Sequence, residues 1–217
     1  DLSAIATRLP EAGWQVALVE MPWRVAGKKA FITGGAQGLG AASARRLAEE
    51  GAQVALADLN LDGARRQADD INAAVGSEVA HAYRLDVTDE AGWPAALDKA
   101  AAAMGGLSVL VNNAGISAGG NIEELSYADW KKVMSVNVDS VFLGTKHALK
   151  HMRDSQPGSI INISSIAGLI AAHNSPAYNA SKAAVWLLSK GIALHCAKQG
   201  LDIRSNSIHP TYIDTPI

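Results

Sequence analysis

From Lys29 onward the chain alternates short β-branched or apolar runs with longer alanine-rich stretches of helical periodicity. The runs are AFIT, QVALAD, EVAHAYRLD, LSVLVNNAG, SIINISS and DIRSNSIHP. Between them stand GLGAASARRLAEEG, LDGARRQADDINAAV, DEAGWPAALDKAAAAM and two longer segments. Strands separated by stretches of this length pair in parallel through right-handed crossovers. The pattern therefore predicts an α/β fold, a single-domain doubly wound parallel sheet with helices on both faces. Runs such as LSVLVNN suit strands covered on both sides.

Residues 1–28 stand outside the alternation and read as an N-terminal extension, within which WQVALVEMPW could form a strand of its own. The domain proper is expected over 29–217. Because a doubly wound sheet stopping at Ile217 would leave its last edge short, further C-terminal residues are expected beyond it.

With 217 residues, 48% of them hydrophobic, the chain can bury a full core. A formal charge of -2 and the lack of a basic run argue against nucleic acid or anionic membrane as main partners. Cys196 is the single cysteine, so no internal disulfide can form, and it reads as a small apolar filler in a reducing compartment. No apolar run reaches the ~18 residues of a membrane span, and DLSAIATRLPEAGW lacks the parts of a signal peptide. A soluble, cytoplasmic protein is expected. His147 and His151 lie four apart, but with no third ligand and no glutamate at the metalloprotease spacing they read as surface histidines, and no metal site is expected.

The glycines of FITGGAQGLG occupy the junction between the first strand and the first helix. Gly34, Gly38 and Gly40, with Gln37 and Leu39 among them, form a turn where backbone N–H groups and a helix N-terminus can approach a pyrophosphate. No Lys-Ser or Lys-Thr closes the segment, which excludes a phosphate-binding loop of the nucleotide-triphosphate type. Asp58 ends the second run and Leu59 follows it. A carboxylate there accepts from the adenosine ribose hydroxyls and repels the additional phosphate of NADP, so NAD(H) is favoured.

Tyr178 and Lys182 are four residues apart and share a helix face. An ammonium beside a phenol stabilises the phenolate and lowers the phenol pKa toward working pH, as general acid–base catalysis requires. The residues between them are small, which leaves room for cofactor and substrate.

Taken together, TGGAQGLG, Asp58, LDV at 85–87, NNAG at 112–115, Asn137, ISS at 163–165, YNASK and HPTYIDTP resemble the short-chain dehydrogenase/reductase family in its single-domain branch. The resemblance implies that Tyr178 is the catalytic acid/base, that Lys182 assists it and holds the nicotinamide ribose, and that Ser165 hydrogen-bonds the substrate oxygen. Asn137 would help position a water leading to the lysine. Asp86 and Val87 would contact adenine, Asn113, Ala114 and Gly115 would form the floor near the nicotinamide ribose, and Ile213 and Thr215 would contact carboxamide and phosphates. Where the family usually has Gly after the Pro of the HP segment, this sequence has Thr211.

The expected function is hydride transfer between NAD(H) and a secondary alcohol or ketone. The segment from ALHCAKQG to the end is similar to the bacterial hydroxysteroid dehydrogenases, which implies a hydroxysteroid or other alicyclic alcohol. Two alternatives are a 3-oxoacyl-thioester reductase, which usually pairs with NADPH, and a non-catalytic NAD-binding scaffold. By the same resemblance, the helices over 126–153 and 176–199 pair across subunits into a homotetramer, with a dimer as fallback.

Overall fold

A computed structural model describes residues 24–215. The strand expected over WQVALVEMPW lies outside them. Six strands form one parallel sheet: β1 (Lys29–Thr33), β2 (Gln53–Asp58), β3 (Ala80–Arg84), β4 (Val109–Asn112), β5 (Gly158–Ile163) and β6 (Ile203–Ile208), in the order β3-β2-β1-β4-β5-β6. The helices are α1 (Gly38–Glu49), α2 (Leu61–Val75), α3 (Gly92–Met104), α4 (Tyr127–Met134), α5 (Ser140–Met152) and α6 (Pro176–Lys198).

Alternation along each strand divides the core between two layers, as a sheet covered on both faces demands. Ala30, Ile32, Val54 and Leu56 face α1 and α2, where Ala44, Ala48, Ala64 and Ile71 are buried against them. Phe31, Ala55, Leu110 and Ile160 face the other layer, which α3, α5 and α6 supply through Trp93, Leu97, Leu143, Met152 and Ile192. Alanine on the buried stripes lets helix backbones approach the sheet closely. Trp93, 0% exposed, satisfies its indole N–H on the Val87 carbonyl at 3.1 Å, and its truncation to Ala is expected to cost about 3–5 kcal/mol.

The chain runs outward from β1 through β2 to β3 and returns to β4 on the other side of β1. The strand order thus reverses between β1 and β4, and a crevice opens beyond their carboxyl ends.

The helix expected over 126–153 is continuous, but α4 and α5 are joined by a π-helical turn at Ser135–Asp139. His147 and His151 depart from the surface reading. Their side chains are only 20% and 17% exposed and face carboxylates, Glu90 at 3.6 Å and Asp98 at 3.0 Å. Cys196 is fully buried, where desolvation raises its thiol pKa. Among the described residues, no helix is long and apolar enough to cross a membrane.

Candidate active site and dinucleotide cradle

The glycine-rich turn follows β1 directly. Gly34 holds φ at +67°, a conformation that costs a side-chain-bearing residue energy, and a Cβ there would stand 2.8 Å from Asn113 Nδ2. Gly40, in the first turn of α1, has no room at all, since a Cβ would overlap the Gly34 carbonyl oxygen. Gln37 enters α1 in extended backbone and its side chain does not cap the helix. The first N–H groups of α1, at Gly38, Leu39 and Gly40, therefore border a cradle shaped by missing side chains.

Thr33, the first residue of TGGAQGLG, joins the two sides of the crevice. Its Oγ1 accepts from the backbone N–H of Asn113 and of Ala114, each at 3.0 Å, and Asn113 Nδ2 donates back to the Thr33 carbonyl at 2.9 Å.

Asp58 leaves β2 with both carboxylate oxygens engaged. Oδ2 accepts from Ala36 N at 3.0 Å and Oδ1 from Asn60 N at 2.9 Å, which ties the end of β2 to the glycine turn. Leu59 follows, 57% exposed. Asp86 lies beyond β3, where the Thr88 hydroxyl and N–H donate to it and hold its carboxyl below the usual range. Val87 beside it is buried.

The second cluster gathers around the first turns of α6, which open with Pro176 in the position that tolerates its missing N–H. Lys182 Nζ stands 5.4 Å from the Tyr178 ring centroid and donates to the Ile163 carbonyl at 2.8 Å. The lysine is 4% exposed, and among the described residues no carboxylate pairs with it. Burial pushes its pKa down to about 8.

Asn137 sits in the π-helical turn, 1% exposed, with its amide fully engaged. Oδ1 accepts from Ile116 N at 2.8 Å, while Nδ2 donates to Ile116 O at 2.9 Å and to Ser181 Oγ at 3.0 Å. Gly115 lies against this group: a Cβ on it would come within 3.4 Å of both Asn137 Oδ1 and Lys182 Nζ.

Ser165, 8% exposed, begins the turn after β5 and caps it by accepting from Ala167 N at 3.1 Å. Its carbonyl faces His209 Nδ1 at 3.2 Å, and Nε2 of the same ring stands 2.9 Å from Ser207 Oγ.

The fold thus brings Gly115, Asn137, Tyr178 and Lys182 together. Ser165 lies beside the strand whose Ile163 carbonyl holds the lysine. Ile213 and Thr215 lie beyond β6, and among the described residues Thr215 Oγ1 donates only to Ile213 O, at 3.5 Å. Of the small residues between Tyr178 and Lys182, Ser181 is 0% exposed, and a Cβ on Gly168 would come 2.7 Å from the Lys182 carbonyl carbon.

The family model described as short chain dehydrogenase matches residues 28–217. The chain belongs to the short-chain dehydrogenase family. Over 204 residues this short-chain dehydrogenase is 44% identical to the 3-alpha-(or 20-beta)-hydroxysteroid dehydrogenase of Mycobacterium tuberculosis, covering 91% of this chain and 73% of that protein. Over 195 residues it is 41% identical to the NADP-dependent (R)-specific alcohol dehydrogenase of Lentilactobacillus kefiri, covering 89% of this chain and 76% of that one. It also resembles a short chain dehydrogenase/reductase from Burkholderia phymatum, solved in complex with NAD, with a TM-score of 0.84 at 34% identity; the match covers 88% of this chain and 68% of that chain. The family and the NAD-bound neighbour support a nicotinamide dinucleotide as the ligand of this short-chain dehydrogenase.

Proposed function

We propose that residues 29–217 form a catalytic domain that transfers hydride between NAD(H) and a secondary alcohol or ketone, with a hydroxysteroid or another alicyclic alcohol as substrate. The observation that carries this reading is the buried Lys182 ammonium, 5.4 Å from the Tyr178 ring beside the glycine cradle. The names of the two relatives above, which act on a hydroxysteroid and on alcohols, support the substrate class.

When bound, the nicotinamide supplies the hydride acceptor. The residues of the chain supply position and proton traffic. Tyr178 takes the hydroxyl proton of the alcohol at its phenolic oxygen, with Lys182 Nζ 5.4 Å from its ring. Ser165 orients the substrate oxygen. The Asn137 side chain is spent on Ile116 and Ser181, so its part is to hold the floor segment against α6.

The reading of NAD as cofactor is supported by Asp58, whose carboxylate would repel the additional phosphate of NADP. The NADP-dependent relative makes this the point to measure. The homotetramer reading is supported by an apolar groove of about 670 Å³ between α5 and α6, lined by Leu149, Leu188 and Ile192, with Phe142 exposed at 54% on its rim. A buried free cysteine suits the cytoplasm.

The test is a panel of steroids, cyclic alcohols and sugars assayed by NADH absorbance with NAD and with NADP. No turnover of any secondary alcohol by folded protein would sink the reading.

A further inference from the structure

Ser181 lies in the interior of α6, 0% exposed, between the two residues proposed to carry the chemistry. Its hydroxyl accepts from Asn137 Nδ2 at 3.0 Å and donates to the Tyr178 carbonyl at 2.8 Å. These bonds form a directional chain from the π-helical turn, through one hydroxyl, to the backbone of the tyrosine. The same Asn137 amide grips both backbone groups of Ile116, one residue past Gly115: Oδ1 accepts from its N–H and Nδ2 donates to its carbonyl. Three segments that are distant in sequence are thus linked through Asn137 and this oxygen: the floor after β4, the π-helical turn and the first turns of α6.

Packing alone does not call for a hydroxyl here. Alanine would fill nearly the same volume and is the better helix former, while a serine inside a helix competes with the backbone for its carbonyls. What the hydroxyl adds is a partner for a buried amide N–H and a fixed angle for the helical turn. Consecutive hydrogen bonds of one sense reinforce each other in a dry interior.

We propose that Ser181 is a positioning residue of the reaction, locking the turn that bears Tyr178 and Lys182 to the segment bearing Asn137. The inference rests on the function proposed above. It predicts that removing the hydroxyl lets the turn shift relative to Gly115 without closing the dinucleotide cradle.

The experiment compares Ser181→Ala and Ser181→Cys with the wild type and with Tyr178→Phe, all in the full chain. Three quantities are measured: kcat and KM against pH, NADH affinity by fluorescence, and acylation of Lys182 by acetic anhydride against pH, read by peptide mass spectrometry. Ser181→Ala is expected to lose about 10- to 100-fold in kcat, the scale of a small misplacement of reacting groups. Its NADH affinity should stay that of the wild type, and its Lys182 labelling midpoint should move upward as water reaches the ammonium. Ser181→Cys, with a weaker donor and acceptor, should fall between. Wild-type kcat together with a wild-type labelling curve in Ser181→Ala overturns the proposal, as does a kcat loss that merely follows lost NADH binding. Should the Ala variant not fold, the Cys variant is judged by the same two criteria. If the wild type oxidises no alcohol but the labelling curve still shifts, the functional reading fails and the positioning role stands.

Discussion

Lys182 Nζ and the Ile163 carbonyl oxygen lie 2.8 Å apart, so the last residue of β5 holds the ammonium of a helix 19 positions further along the chain. That bond directs a buried cation toward the Tyr178 ring rather than toward solvent. A charge kept in the interior without a carboxylate partner is destabilising, and short-chain dehydrogenase chemistry is the reason proposed for keeping it.

Replacing Tyr178 by Phe removes the phenolic oxygen and leaves the ring. Turnover is expected to fall by about 10²- to 10⁴-fold, the range of a lost general acid–base group, while NADH binding persists. Steady-state kinetics beside a fluorescence titration separate the two quantities, and full turnover in the variant would remove Tyr178 from its assigned role.

Burial lowers the Lys182 pKa from 10.5 to about 8. Between those values the unfolded chain binds more protons than the folded one, so stability rises with pH through this window. The penalty is fully present below pH 8 and corresponds to about 3 kcal/mol at most. Lys182→Met is therefore expected to be inactive yet more stable than the wild type at pH 7, less about 1 kcal/mol for the lost bond to Ile163. The advantage should shrink as pH rises from 8 toward 10.5. Urea unfolding at pH 7 and pH 10 checks the sign, and a variant less stable at pH 7 would contradict it.

Asp58→Ser removes the charge at the end of β2 and shortens the reach to Ala36 N and Asn60 N. The ratio of kcat/KM for NADP to that for NAD is expected to rise by at least about 10-fold, because like-charge repulsion of several kcal/mol is relieved. Thermal stability should fall modestly with the weakened turn. An unchanged ratio would mean that another residue reads the ribose.

Gly40→Ala places a methyl group on the Gly34 carbonyl oxygen. Such overpacking costs about 1–3 kcal/mol and must move either the turn or α1. Calorimetry should show weakened or absent NADH binding in a protein that still melts cooperatively.

Phe142→Glu sets a charge on the exposed rim of the α5–α6 groove, where the side chain is 54% open. Sedimentation is expected to show species smaller than the proposed tetramer, with the monomer fold intact by circular dichroism. A wild type that sediments as a monomer would remove the interface itself.

Much of the fold was legible because the signals were local. Alternating run lengths specify a doubly wound sheet, and Gly34 and Gly40 announce a turn whose crowding the structure then displays. The pairing of His147 and His151 is not legible locally, because their partners, Glu90 and Asp98, belong to the α3 region. The partners of Thr33 and Ser181 are hidden for a related reason: each is an ordinary hydroxyl residue of its motif until the distant groups it bonds are known.

Sequence alone determined that strands and helices alternate, and that a phenol and an amine lie one turn apart on a common helix face, because both depend on the fixed periods of the backbone. Only the tertiary structure decided that the amine is buried against Ile163, that the Asn137 amide is consumed by Ile116 and Ser181, and that Thr33 joins the two halves of the crevice. These are contacts between segments far apart in the chain, made when the sheet is assembled, and no local period encodes them.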